Sequence, residues 1–517
     1  MKTRTKRVGK RIGTTLIVAG LCTTMLASSI PAFAMGTVAD KDKFGASGGK
    51  YTSEYASMEK LSVKTKETNV KAVSEGVIML KNGNKDGTGE KLPYADMKNV
   101  SLFGISSDQF CYGGFGSAGS KLAEGADIYN SFKNAGISVN PKLKELYQKY
   151  SKGPVGAGGG FENADYSDQE LDVSLYKDDV TSSYAQYNDA AIIFISRLGG
   201  EDGDLPRVNV GKRVRPDDSG ELKPVSDEHY LELSYREEQL IDHVTSKFDK
   251  VVVLFNSGNI IEFGELENNP KIDAILNIGQ TGDFGFDGVI KVLKGEVSPS
   301  GRTVDIYPAD FTLDPTWQNF GDGSQIDRSY FGDDLNRAEI IYDSASGLLT
   351  EVKRRGPNKG AGYEYTERES ANAANPEGGV NYDRGYCGLE YEEGIYLGYK
   401  YYETMYGEIK ENHVDLTAEA TKKALNSKDI PAEYTSADDW YAKNVVYPFG
   451  HGLSYTNFEW TFDRLTLSTG GTLSKDTKFT ASVTVKNIGG IASKEVVELY
   501  MSAPYTQGGI EKSATQL

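Results

Sequence analysis

Cysteine is nearly missing from this chain, with three in 517 residues, so no disulfide framework holds a fold together. Histidine is as scarce. Its four copies, His229, His243, His413 and His451, show no paired metal-ligand spacing, and the residues give no reason to expect a metal or another cofactor. Positive charge is in deficit, with 57 Lys+Arg against 74 Asp+Glu and a net charge of -17. A polyanion repels phosphate backbones, which argues against nucleic acid as a partner. Past Ile30 no apolar run is long enough to span a bilayer. What is present is enough for globular structure. Hydrophobic residues make up 38% and charged residues 25%, so cores can form. Tyrosine, at 32 copies, supplies faces that stack and hydrogen-bond at once. The length suggests two or three domains.

The first 34 residues read as a signal peptide. Lys2, Arg4, Lys6, Arg7, Lys10 and Arg11 precede an apolar run from Thr15 to Ile30, and Pro31-Ala32-Phe33-Ala34 gives a small-x-small cleavage pattern. Leu21 before Cys22 argues against a lipoprotein site. Removing six positive charges takes -17 to -23 for an exported, extracellular or cell-surface chain. Cys111 and Cys387 remain, free to pair or to stay apart.

Residues 35–66 form a polar lead-in. From Glu67 to Leu80 the positions Val70, Val73, Val77, Ile78 and Leu80 suit an amphipathic helix. Short apolar strands then alternate with helices. Strands are expected at Val100–Gly104, Ala190–Ile195, Val251–Phe255 and Ile272–Leu276. Helices are expected from Pro141 to Tyr150, from the Ser234/Glu237 capping box to about Phe248, and from Val289 to Leu293. Continuous apolar strands between helices predict an α/β fold with a largely parallel sheet over residues 67–446. The rhythm fades from 311 to 445. Beyond Tyr455 the period becomes two, with strands expected at Phe458–Leu467, Phe479–Lys486 and Val496–Met501. That is the start of a β-sandwich over 447–517, incomplete against the roughly 100 residues such a domain needs.

Three stretches offer chemistry. Gly114-Phe115-Gly116-Ser117-Ala118-Gly119 matches a dinucleotide pattern, but it begins well after the strand it should follow and lacks the ribose-binding acid, so a loop is the better reading. Ser196 to Asp204 follows a strand's carboxyl end, where α/β sheets bind ligands, and glycines flank Glu201 there. Taken alone, Glu201 reads as a solvated loop acid. Asp438-Asp439-Trp440 imitates a carbohydrate motif, yet its polar surroundings read as a surface linker.

In order, the segments Ser74–Asn82, Val100–Gly104, Ser196–Glu201, Val251–Gly258, Pro299–Arg302, Tyr391–Tyr402, Tyr447–Thr456 and Lys494–Tyr500 resemble glycoside hydrolase family 3, the β-glucosidase-like group. The resemblance implies an (α/β)6 three-layer sandwich domain followed by a partial fibronectin-III-like β-sandwich. It implies a retaining mechanism on β-linked oligosaccharides or glycosides, with two carboxylates about 5–5.5 Å apart. Glu201 falls on the family's acid/base loop and takes that role. Gly114, Gly116, Ser117, Arg197 and Asp204 become loop candidates for substrate binding. The family's nucleophile is an Asp in a (β/α)8 barrel, which needs about 250 residues and which residues 35–517 do not supply. The expectation is therefore the front part of a permuted enzyme, inactive without its barrel. The alternatives are a non-catalytic exported protein that binds glycans or a partner and, less favoured, a nucleotide-dependent enzyme.

Overall fold

The structure, a computed structural model, describes residues 54–55, 57–84, 89–114, 119, 122–154, 169–197, 199, 213–225, 228–317, 338–342, 349–354, 393–411, 414–418, 434–471, 474–506 and 508–517. The expected signal segment, most of the lead-in and Cys387 lie outside them. The chain divides into two compact units, residues 1–68 and 69–517. Among its described residues the first unit holds the start of helix α1 (Met58–Gly76).

The second unit is built on a six-stranded sheet. Its strands are β1 (Ile78–Asn82), β2 (Asn99–Phe103), β3 (Ser138–Val139), β4 (Ala190–Ile195), β7 (Val251–Phe255) and β8 (Ala274–Asn277), in the order β1-β8-β7-β4-β2-β3. All neighbours are parallel except β1, which runs antiparallel to β8. Outside this sheet, β5 (Val214–Pro216) pairs with β6 (Leu222–Pro224) and β10 (Ala338–Tyr342) with β11 (Leu349–Arg354), both antiparallel. β4 and β7 are buried at every position. Their side chains alternate between two cores. Ala191, Ile193, Ile195, Val251, Val253 and Phe255 join one. Ala190, Ile192, Phe194, Val252 and Leu254 join the other. Each fully buried aliphatic side chain contributes about 1.5–3 kcal/mol, so strands apolar on both faces are stable only with cover on both sides.

Helices supply that cover. Leu143 and Tyr147 of α3 (Pro141–Tyr150) and Leu240, Ile241 and Val244 of α5 (Tyr235–Thr245) pack on the first core. Ile128 and Phe132 of α2 (Ile128–Asn134) and Phe286, Val289 and Ile290 of α7 (Phe286–Leu293) pack on the second. Between these, α4 (Asp178–Thr181) and α6 (Gly264–Asn268) are single turns. The Ser234/Glu237 capping box is present in full and opens α5.

Several expectations need correction. The helix expected over Glu67–Leu80 ends at Gly76, and Ile78–Asn82 is a strand, because those apolar positions pair with β8 instead of continuing a helical stripe. Ile272 and Asp273 precede β8 and do not belong to it. The presumed linker at Asp438-Asp439-Trp440 is helix α9 (Ala437–Asn444). Ser436 caps it, and Trp440, 2% exposed, packs beside Tyr402 of α8 (Tyr399–Lys410). Tyr447 and Val445, in β12 (Val445–Tyr447), pair with β9 (Tyr307–Pro308), and Tyr447 enters the first core. The strands Phe458–Leu467 (β13) and Phe479–Asn487 (β14) form an antiparallel hairpin. Val496–Met501 is not a strand. Of it only Met501 bridges, to Gln516, and Val497, Leu499 and Met501 stand exposed.

Candidate functional site

The carboxyl ends of β2, β4, β7 and β8 lie along one edge of the parallel sheet, and the loops leaving them are tied together. Asn256, the residue after β7, is fully buried. Its Oδ1 accepts from Cys111 N–H at 2.7 Å, and its Nδ2 donates to the carbonyls of Cys111 (2.9 Å) and Gly279 (2.6 Å). Ser196 donates to Asn256 O at 2.6 Å, and Ser257 donates to Arg197 O at 2.5 Å. One amide thus joins the loops after β2, β7 and β8, and two hydroxyls add the loop after β4. At the exit of β2, Gly104 has φ 90°, and a Cβ there would stand 2.3 Å from Phe194 O, so only glycine fits.

Arg197 follows β4 and is 3% exposed. It forks onto Glu237 of α5 at 2.7 and 2.6 Å, and also donates to the carbonyls of Tyr230 (2.7 Å) and Glu232 (2.6 Å). Burial pushes the Glu237 carboxyl up, but the Arg197 charge and hydrogen bond, with Arg213 and Ser234 N–H, outweigh it and hold the group below its ordinary value. Arg197 therefore serves the protein's own framework, which argues against its reading as a direct sugar contact. Arg213 reaches Glu228 at 2.9 Å, and Arg215 bridges Glu228 (2.7 Å) and Glu238 (2.5 Å). Sequence reading missed this network. The alternation of Arg213 and Arg215 with Glu228, Glu237 and Glu238 was visible, but pairing across a loop leaves no periodic signal.

Of the residues expected at the site, Gly114 is buried at the end of the described part of its loop. Glu201, Gly116, Ser117 and Asp204 lie outside the described residues. Cys111 is free and buried, and burial pushes its thiol up to about 11, so it stays protonated. Beside the same β2 loop, an open cavity of about 510 Å³ is lined by Asp108, Asp127, Tyr129, Lys133 and Lys144 among others. Lys144 Nζ lies 4.2 Å from the centre of the Tyr129 ring.

His229, Glu232 and Glu262 bring possible ligand atoms together, a grouping that sequence spacing did not suggest. His229 Nδ1 accepts from Leu231 N–H at 3.2 Å, which puts the ring proton on Nε2, 3.2 Å from Glu262. The ring nitrogen facing the acids is a donor, and the trio reads as a buried acid–imidazole pair, not a metal centre. Burial pushes Glu262 up to about 7, against the opposing pull of His229 and with further upward push from Asp310 and Glu232.

Residues 77–399 match the family model for the glycosyl hydrolase family 3 C-terminal domain. The chain is 24% identical over 466 residues to β-glucosidase A of Butyrivibrio fibrisolvens, covering 87% of this chain and 43% of that protein. It is 25% identical over 433 residues to a β-glucosidase of Ruminococcus albus, covering 83% of this chain and 32% of that protein. The chain thus spans less than half the length of these relatives. In fold it is similar to a β-glucosidase of Paenibacillus barengoltzii (TM-score 0.53, 23% identity, 87% of this chain and 35% of that one). It is also similar to β-glucosidase 3B of Thermotoga neapolitana in complex with glycerol (TM-score 0.52, 23% identity, 90% and 46%).

Proposed function

The chain belongs to glycosyl hydrolase family 3, β-glucosidase-like, and from that premise we propose that it is part of an exported retaining β-glycosidase in which Glu201 is the acid/base. The observation that supports this reading is the match over residues 77–399, taken with chain order: Glu201 follows β4 by six residues, and parallel sheets bind ligands beyond the carboxyl ends of their strands. The matching β-glucosidases are more than twice as long as the part spanned here. We take the nucleophilic carboxylate to be carried on that remaining architecture, in a barrel. The (α/β)6 sandwich and fibronectin-III-like assignments, and truncation in a permuted order, belong to the same proposal.

The chemistry requires two carboxyl groups. One attacks the anomeric carbon of a β-glycoside while the protonated Glu201 donates its proton to the departing oxygen. Water, deprotonated by the Glu201 carboxylate, then displaces the enzyme from the sugar and restores the starting protonation. A negative neighbour at about 5 Å raises the acid's pKa towards the range in which it can donate.

Aryl β-glucosides of graded leaving-group ability test the assignment in the full-length enzyme. Glu201→Gln should lower kcat by about 10²–10⁴ on poor leaving groups and far less on activated ones, because protonation of the leaving group is what it removes. Equal losses on both would overturn the role. Export is supported by the basic start, apolar run and Ala32-Phe33-Ala34, and a secreted chain whose first residue is Met35 would establish it.

A further inference from the structure

Residues 128–154, which run through α2, β3 and α3, hold five lysines against one glutamate, in a chain whose net charge is -17. Lys133, Lys142, Lys149 and Lys152 are exposed, and Lys133 and Lys144 line the cavity of about 510 Å³ beside the β2 loop. Lys142 is held by Glu145 at 3.3 Å, whereas Lys133 and Lys144 pair with no acid among the described residues. Lys144 stands over the Tyr129 ring instead. A concave wall focuses the field of such cations and draws anions in. The same wall carries acceptors. Asp127 accepts from Asn130 on both carboxylate oxygens, while Asp108 and the Gln148 amide make no side-chain hydrogen bond among the described residues. The buried hydroxyls of Ser107 and Tyr129 find nothing to bond beyond one another.

We propose that this cavity takes a hydroxylated carboxylate, a uronic acid or one residue of a short oligouronide. A bare anion such as sulfate would suit Lys133 and Lys144 but bring its charge towards Asp108 and Asp127. A neutral sugar would suit Asp108 and Gln148 and leave the positive field unmatched. A ring bearing one carboxylate and several hydroxyls meets both demands. Its carboxylate accepts from Lys133 and Lys144, and its hydroxyls donate to Asp108 and to the Gln148 side-chain carbonyl. The volume lies within the roughly 300–1,000 Å³ usual for small-molecule sites and suits one or two sugar rings. Lys142, Lys149 and Lys152, exposed on and just after α3, extend the positive field to further uronate residues. The inference makes no use of Glu201 and stands or falls without it.

Calorimetric titration of the full 517-residue chain with trigalacturonate tests this, against the methyl ester, which keeps the hydroxyls and loses the charge. At low salt the acid should bind at least about tenfold more tightly than the ester, and Lys133→Met with Lys144→Met should erase that difference. Raising the salt from about 0.05 to 0.5 M should weaken the acid severalfold and leave the ester within about twofold. Gln148→Leu should weaken both by about threefold. If the double variant does not fold, Lys133→Met alone carries the test, with an expected loss of about threefold or more for the acid. No binding of the acid at millimolar concentration, equal binding of acid and ester, or wild-type affinity in the folded lysine variants overturns the site. Sulfate that displaces trigalacturonate at equal concentration overturns the hydroxyl contacts. A DNA oligonucleotide that binds more tightly, and is lost with the same lysines, overturns the ligand class. Glu201→Gln should bind trigalacturonate as wild type does, and a loss there overturns the cavity as the place where it binds.

Discussion

Glu262 shows how a single residue can be stabilised by a proton. It is packed against His229, with Glu232 and Asp310 beside it, and burial outweighs the imidazole's pull, so the folded carboxyl titrates near 7 against an ordinary 4.5. Between those values the folded chain keeps a proton that the unfolded chain has released. The stabilisation is full below about 4.5 and is lost as pH rises through about 7. Relative to Glu262→Gln, wild type should gain on the order of 2 kcal/mol of unfolding free energy as pH falls from neutral towards 4.5. Urea midpoints of the two proteins across that range provide the check, and a constant gap between them would refute it. None of this was legible beforehand. His229 and Glu262 are 33 positions apart, and the same letters fit two solvated side chains.

At the scale of elements, legibility follows the strength of the local pattern. β4 and β7 could be bounded from sequence to the residue, because six and five apolar residues in a row fit a strand buried on both faces and little else. The capping box of α5 is likewise local chemistry. Helix α9 was missed because its acids, at the first turn, hide a Trp whose partner Tyr402 is distant in sequence. The β13–β14 hairpin was legible in its alternation but not in its exposure. A shift in register between Phe462 and Arg464 keeps Trp460, Phe462 and Leu465 opposite Val485, Val483 and Ala481 on one face. Trp460, Phe462, Leu465 and Phe479 are 46–63% exposed, an apolar surface that water disfavours. The chain should therefore self-associate with rising concentration, and Phe462→Ser with Leu465→Ser should shift it towards monomer without moving its thermal midpoint by more than a few degrees. Light scattering over a concentration series is the measurement. A wild-type chain monodisperse throughout would contradict the expectation.

At the scale of the whole molecule, the question is where the α/β core stops. The sequence reading sets the domain boundary at 446/447, although the period changes to two only beyond Tyr455. The contacts put the boundary later, close to where the period changes. Tyr447 donates to the buried Glu267 at 2.7 Å and stacks on His451, with ring centres 4.8 Å apart. His451 Nε2 lies 2.8 Å from Leu80 O, Leu453 N–H reaches Met79 O at 2.8 Å, and Tyr455 donates to Val292 O at 2.9 Å. Residues 447–456 thus cover the β1 edge of the sheet and belong to its folding unit. Removing them would expose a strand edge and leave a buried carboxylate without its phenol, a loss of several kcal/mol against a typical domain stability of about 5–15 kcal/mol. A chain ending at residue 446 should accumulate as aggregate or show a broad, weakened thermal transition. One ending at 457, without the hairpin, should keep the near-ultraviolet dichroism and the cooperative transition of the α/β core. If the shorter chain is as stable as the longer, the core ends where the sequence first suggested, and the Tyr447–Tyr455 contacts are ornaments on a sheet that stands without them.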